Sequence, residues 1–231
     1  MPKPLRQSHI IPEFVYSTVY DDTHRFLGIN GLGKFRRALV QKGLREPLLC
    51  DDCEQFINVT YEKPFKHYWY DKNPLPAWLG REGIQLKGID YAAFKLFHLS
   101  ILFRAGAAQS VTFHDVQLGP HQETLRTMLL EKHPAGPNEY SIMGFAIVDK
   151  KNAPIWRLII PPFKARYEGH NVYQTLFGGC MWIYKVSVHH STIDKAGLQP
   201  DGFLWLLGER WETVAAIQAV SRVLNRAKAR G

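Results

Sequence analysis

Two short stretches of the chain hold the side chains with the most chemistry in them. Ser8-His9-Ile10-Ile11-Pro12 sets an imidazole beside a stiff apolar corner. An imidazole titrates at about 6.5 when unperturbed, which suits proton transfer near neutral pH. Leu48-Leu49-Cys50-Asp51-Asp52-Cys53-Glu54 sets two thiols in a C-x-x-C pair. Such a pair is half of a tetrahedral zinc site, whose other half normally comes from a second Cys or His pair. Each stretch also has a plainer reading. A histidine beside Ile-Ile can be a packed, hydrogen-bonded residue, and free cysteines are among the most buried residue types. Glu54, Asn58 and Glu62, at four-residue spacing, can be a solvated helix face. The third cysteine, Cys180, reads as strand core. Three cysteines make a poor disulfide framework, so reduced thiols are expected.

Taken together, the two stretches resemble the HNH endonuclease superfamily, whose sites are built on a ββα-metal fold. The resemblance covers roughly residues 5–65. It lies with a branch of bacterial HNH-like proteins that read Ser-His-Ile-Ile-Pro and then Leu-Cys-x-x-Cys-Glu. The helix Phe94-Lys95-Leu96-Phe97-His98-Leu99-Ser100-Ile101-Leu102-Phe103-Arg104 looks more loosely like that branch's following segment. The resemblance implies His9 as general base in phosphodiester hydrolysis, with Glu54 as its partner. It also implies a divalent ion, Mg2+ or Mn2+, held at the positions of Ser8 and Glu54, with Asn58 or Glu62 adding an oxygen ligand. Cys50 and Cys53 would hold Zn2+. The implied partner is nucleic acid, DNA foremost, with a protein partner subunit as a further possibility; defence against foreign DNA would be in keeping.

The chain departs from that pattern in three places. No second C-x-x-C precedes His9, so zinc would need His24, His67 or another distant ligand. Ser8 stands where the family has Asp, a weaker ligand. Arg45 stands where the family has an Asn that orders the ββ loop; as a cation it is instead a candidate nucleic-acid contact. The alternative is therefore a catalytically degenerate HNH-like module that binds nucleic acid or a partner protein.

The elements that must position these residues follow from pattern. Residues 1–47 read as strand-poor and loop-rich, with Gly28, Gly31, Gly33 and Gly43 breaking a hairpin or irregular loop. The run Gly28-Ile29-Asn30-Gly31-Leu32-Gly33-Lys34 has the wrong spacing for a phosphate loop. A thioredoxin-like reading of the Cys pair would need a strand before it, which this stretch does not promise. A helix is expected from Asp51 to Glu62, ended by Pro64. A Pro/Gly/Trp-rich connector at 71–88 separates the small module, 1–70, from residues 89–231. A buried helix over 90–108 and a second over 122–132 come next. Strands are expected at 140–149, 155–160, 171–177, 180–188 and 202–207. An amphipathic helix over 210–228 closes the chain. The fold class is α+β, with an antiparallel sheet in the C-terminal part.

Composition sets the outer bounds. The chain has 231 residues, 45% of them hydrophobic and 22% charged, enough for a sizeable core and against disorder. No apolar run approaches the roughly 18 residues of a membrane span. The opening residues lack an apolar signal core, so a cytoplasmic setting is expected. The net charge is +8, spread along the chain, with one concentrated stretch at the C-terminal end, where Arg222 and Arg226 share a helix face. These two arginines join Arg45 as candidate nucleic-acid contacts, although a basic helix end also suits its own dipole. His98 and Arg104, on a helix expected to be buried, each need a polar partner and would pin that helix to the N-terminal module or contact phosphate. His189, His190 and Asp194 look like a metal group, but neighbouring strand histidines point to opposite faces. No G-x-S-x-G occurs.

Overall fold

Around the two motifs the chain forms a hairpin and a helix. A computed structural model describes residues 3–30, 36–80, 82–187 and 189–218. Strand β1 (Leu5–His9) runs antiparallel to β4 (Arg45–Cys50), with Leu5 opposite Cys50 and His9 opposite Arg45. The ladder shifts register between Arg6 and Gln7, where Leu48 is the extra residue and Pro47 has no N–H to give. The Ser8 hydroxyl repairs this spot, accepting from the Leu49 N–H at 3.1 Å. Between the two strands lie a helical turn, α1 (Glu13–Tyr16), and a second hairpin, β2 (Phe26–Asn30) with β3 (Arg36–Val40). The expectation that residues 1–47 are poor in strands is thus overturned. Those strands are short, and two-stranded ribbons bury little, so no alternating apolar pattern marks them.

Helix α2 (Asp51–Ile57) follows β4 directly, its first turn carrying Asp51, Asp52 and Glu54 where the helix dipole favours acids. The expected stop at Pro64 does not occur. Helical backbone continues unbroken to Asp71 through a π turn (Asn58–Glu62), α3 (Lys63–Lys66) and a second π turn (His67–Asp71). A wider turn just ahead of Pro64 is the local adjustment that relieves the ring's clash with the preceding carbonyls. The continuation matters, because it carries Tyr61, Phe65 and Trp69 into the core, each no more than 1% exposed.

Those aromatics meet α4 (Tyr91–Ala107), which is buried on nearly every side and capped by Asp90 accepting from the Ala93 N–H. Phe65 stacks on Phe97 at 3.7 Å, and the Trp69 indole donates to the Gly178 carbonyl at 2.8 Å. On the other side of α4 lies a six-stranded sheet ordered β5-β10-β6-β9-β8-β7. Its strands are β5 (Ile84–Leu86), β6 (Ile142–Val148), β7 (Ile160–Tyr167), β8 (His170–Phe177), β9 (Cys180–Lys185) and β10 (Leu204–Arg210). One apolar core therefore runs from Ile10 and Ile11 through Phe65 and Phe97 to Trp182 and Tyr184. Helix α5 (His121–Glu131) packs its Leu125, Met128 and Leu129 into the same core.

The architecture is α+β with a sheet that is mostly antiparallel, as the sequence pattern predicts. Four local expectations are corrected. β10 pairs with β6 in parallel, after the chain crosses over through α6 (Thr192–Ala196). The apolar run 155–159 is irregular, with Leu158 packed against the sheet, and regular strand begins only at Ile160, which pairs with Leu176. The connector 71–88 is not all loop, since its last part supplies edge strand β5. Arg210 ends a strand, a 3-10 turn spans Trp211–Thr213, and the closing helix begins only at residue 215. Among the described residues no helix is long and apolar enough to cross a membrane.

Candidate functional site

His9 is the last residue of β1, and its position is fixed from three directions. Behind it, Ile10 and Ile11 are fully buried and Pro12 turns the chain into α1. Its carbonyl accepts from Arg104 Nη1 at 2.8 Å. That guanidinium is 1% exposed and also pairs with Glu62 at 2.9 Å and Ser100 at 3.2 Å. Arg104 thus ties α4, the π turn and the end of β1 into one joint, the pinning role expected of it. In front, the imidazole Nε2 lies 2.8 Å from Oε2 of Glu13, the first residue of α1.

Glu13 is the hub that sequence reading missed. Its other oxygen accepts from the Tyr20 hydroxyl at 2.5 Å and lies 3.5 Å from His24 Nε2. The Tyr20 and His24 rings stack with centroids 3.8 Å apart. The signal for Glu13 was present in the sequence as an acid four residues after His9, immediately beyond Ile-Ile-Pro. His24, weighed as a distant zinc ligand, is engaged here instead.

The surroundings of the His9 imidazole favour its neutral form. Burial lowers its pKa below the ordinary 6.5, and Glu13 opposes that shift. Arg45 and Arg104 lower it further, while Glu54 raises it. Arg45 is exposed and directly opposite His9 in the ladder, so both side chains leave the hairpin on the same face. A neutral base beside a free guanidinium and two carboxylates is a setting for proton abstraction next to an anionic substrate.

The structure brings together His9, Glu54 and Arg45 from the expected set, and it separates the others. The Ser8 side chain is 1% exposed and committed to the Leu49 amide. Asn58 is exposed on the π turn, and Glu62 is held by Arg104. Arg222 and Arg226 lie outside the described residues. Three atoms at the site, His9 Nε2, Glu13 Oε2 and Glu54 Oε1, are buried without an aligned hydrogen-bond partner. This donor set is right in kind for a divalent ion. Even so, among the described residues no three His, Cys, Asp or Glu side chains converge to hold a metal ion. The divalent clamp implied by the resemblance is therefore not assembled in this arrangement.

Cys50 and Cys53 remain free thiols at the start of α2. The Cys53 amide and thiol draw the Cys50 pKa down, while burial pushes that of Cys53 up. A strand does precede the pair, contrary to expectation, but β4 runs antiparallel to β1 and no βαβ unit follows. His67 sits 3.7 Å from Asp71, so neither weighed histidine completes a zinc site with the Cys pair.

Elsewhere, His98 is fully buried with its Nδ1 3.0 Å from the Tyr184 hydroxyl, inside a cage of Phe94, Phe177 and Trp182. Burial drives its pKa well down, and its role is packing. Asp194 is occupied by Lys185 and Ser141, leaving His190 exposed at 3.9 Å. No protein-family model, curated protein or solved structure matches the chain.

Proposed function

We propose that the chain hydrolyses phosphodiester bonds of DNA in the manner of the HNH endonucleases it resembles, with His9 as general base. One observation carries this reading: a neutral, half-buried imidazole stands between the Glu13 carboxylate and a free guanidinium, Arg45, on one face of the hairpin. With Nε2 held beside Glu13, the Nδ1 lone pair takes the proton from water as it attacks phosphorus; the bridging P–O bond opposite breaks, and the departing ester oxygen takes a proton from solvent. The imidazolium formed in that step is stabilised by Glu13. Arg45 binds the non-bridging phosphate oxygens and neutralises charge as it grows on them. Arg104 supplies no contact to substrate; it holds the His9 backbone and so acts as a positioning residue.

A second reading is favoured by the Ser8 hydroxyl's place in the ladder and by the unassembled divalent clamp. On that reading the module binds nucleic acid without cutting it. Incubating supercoiled plasmid with purified protein in Mg2+ or Mn2+ separates the two. The hydrolytic reading predicts nicking that His9→Ala reduces by about 10²- to 10⁴-fold, the span of general-base contributions. Salt-sensitive binding with no nicking under any of these conditions supports the second reading.

A further inference from the structure

The C-x-x-C pair is a motif that the His9 site does not use. Cys50 ends β4 as the N-cap of α2, its backbone extended at φ −75° and ψ 166°, and Cys53 stands three residues on, at the third helical position. These are the two positions whose side chains reach for each other in a capping box. Helical geometry sets residues three apart about 5 Å from each other between Cα atoms. A disulfide spans roughly 4.4–6.8 Å, so the backbone already places the pair for one. Both thiols are free and partly exposed, and the two side chains interact.

The surroundings argue for thiol chemistry rather than packing or zinc. A cysteine that only fills space is buried, as Cys180 on β9 is, completely. Cys53 packs against the main core and Cys50 does not, so Cys50 offers the more open sulfur and Cys53 stands behind it. The two acids between them, which would repel an anionic partner, are each paired with a cation from the start of the chain. Arg6 lies 2.8 Å from Asp51, and Lys3 meets Asp52. Structural zinc takes four ligands, and among the described residues no further His, Cys, Asp or Glu converges on the pair to supply them. Two neighbouring thiols without such partners share one reaction, a two-electron oxidation to a disulfide.

We propose that Cys50 and Cys53 form a reversible internal disulfide by exchange with low-molecular-weight disulfides of the glutathione type, with Cys50 as the attacking sulfur and Cys53 as the resolving one. The Cys50 thiolate attacks one sulfur of the small disulfide, whose S–S bond breaks and releases one thiolate. Cys53 then gives its proton to solvent and attacks Cys50, and the internal S–S bond forms as the second small thiolate leaves. The chain gives up two electrons and two protons; the small disulfide gains both and ends as two thiols. Neither step involves His9 or hydrolysis.

The test equilibrates the full chain in mixtures of reduced and oxidised glutathione, quenches it in acid, alkylates it after denaturation and weighs it intact by mass spectrometry. In reducing mixtures all three cysteines are expected to carry an alkyl group. In oxidising mixtures the folded chain is expected to lose two hydrogens and keep a single alkylatable thiol, the fully buried Cys180. Dithiothreitol should restore the other two. Cys53→Ser, which cannot resolve, should hold one glutathione on Cys50, while Cys50→Ser should take up glutathione at least about tenfold more slowly. Circular dichroism checks that the oxidised chain and both variants are folded. An unfolded oxidised chain, a disulfide between two chains in place of the internal one, three alkylatable thiols in every mixture, or equal glutathione uptake by the two variants would each overturn the proposal. So would one zinc ion per purified chain that Cys50→Ser removes, since the sulfurs would then belong to the metal.

Discussion

Two clusters of ionisable side chains, one buried and one at the surface, differ in what they leave undone. Around Asp194 both carboxylate oxygens are engaged. Lys185 Nζ sits 2.5 Å from its Oδ1, the Ser141 hydroxyl donates to the same oxygen, and the Ser191 amide donates to the other. Lys185 also donates to the His189 carbonyl, and both charged side chains are at most 3% exposed. Around His9 the network is looser: Glu54 Oε1 is buried without a partner, and His9 Nε2 and Glu13 Oε2, 2.8 Å apart, meet only each other. A closed network joins elements together; an open one at a surface face, next to a free guanidinium, has capacity left for a substrate. The first cluster fixes β9 to α6, and the second is the candidate site.

Breaking the closed network should cost the most. Asp194→Ala strands a fully buried ammonium, so thermal or denaturant unfolding should report a loss of about 3–5 kcal/mol. A much smaller loss would mean that the two clusters are not different in kind. Arg104→Ala comes next, since it leaves Glu62 and the His9 carbonyl without their donor. It should destabilise by about 2–4 kcal/mol and also reduce any nicking, because it sits where structure and site join. Arg104→Lys should recover part of the stability and less of the activity, as a lysine cannot serve all the acceptors that the guanidinium fork reaches.

Glu13→Gln should barely move stability, by less than about 1 kcal/mol, given its partly exposed side chain. Its effect belongs in the His9 titration. Glu13 raises the His9 pKa, so removing its charge should lower that pKa further, read by NMR of the imidazole protons. The smallest effect is on stability against pH. His9 and His98 both have folded-state pKa values below the ordinary 6.5. Below about pH 6.5 the unfolded chain therefore binds more protons than the folded one, and stability falls as the pH drops. His9→Gln should flatten part of that slope. For the same reason nicking should be nearly independent of pH between 7 and 8, where His9 is already neutral.

What the sequence disclosed depended on how each part is held. A nearly continuous apolar composition disclosed α4, and an apolar stripe disclosed α5, almost to their ends, because burial dictates their composition. The hairpin of β1 and β4 escaped notice because Arg6, Gln7, Arg45 and Pro47 give it neither alternation nor β propensity. Pro64 misled because a helix can widen around a proline when Phe65 and Trp69 repay the adjustment in the core. At the site, His9 and Glu54 were legible from their motifs. Arg45 was legible only as a departure, since its position opposite His9 is a matter of register. The role of Ser8 was illegible, because it depends on a bulge that a single chain's sequence does not announce.

The central claim is that the open cluster at His9 breaks phosphodiester bonds. Its most direct test is plasmid nicking by wild type and His9→Ala in Mg2+ or Mn2+, with both proteins shown to be folded and to bind DNA alike. The account predicts nicking by wild type and a loss of about 10²-fold or more in the variant. Equal nicking by the two proteins, or none by wild type with either metal, would contradict it.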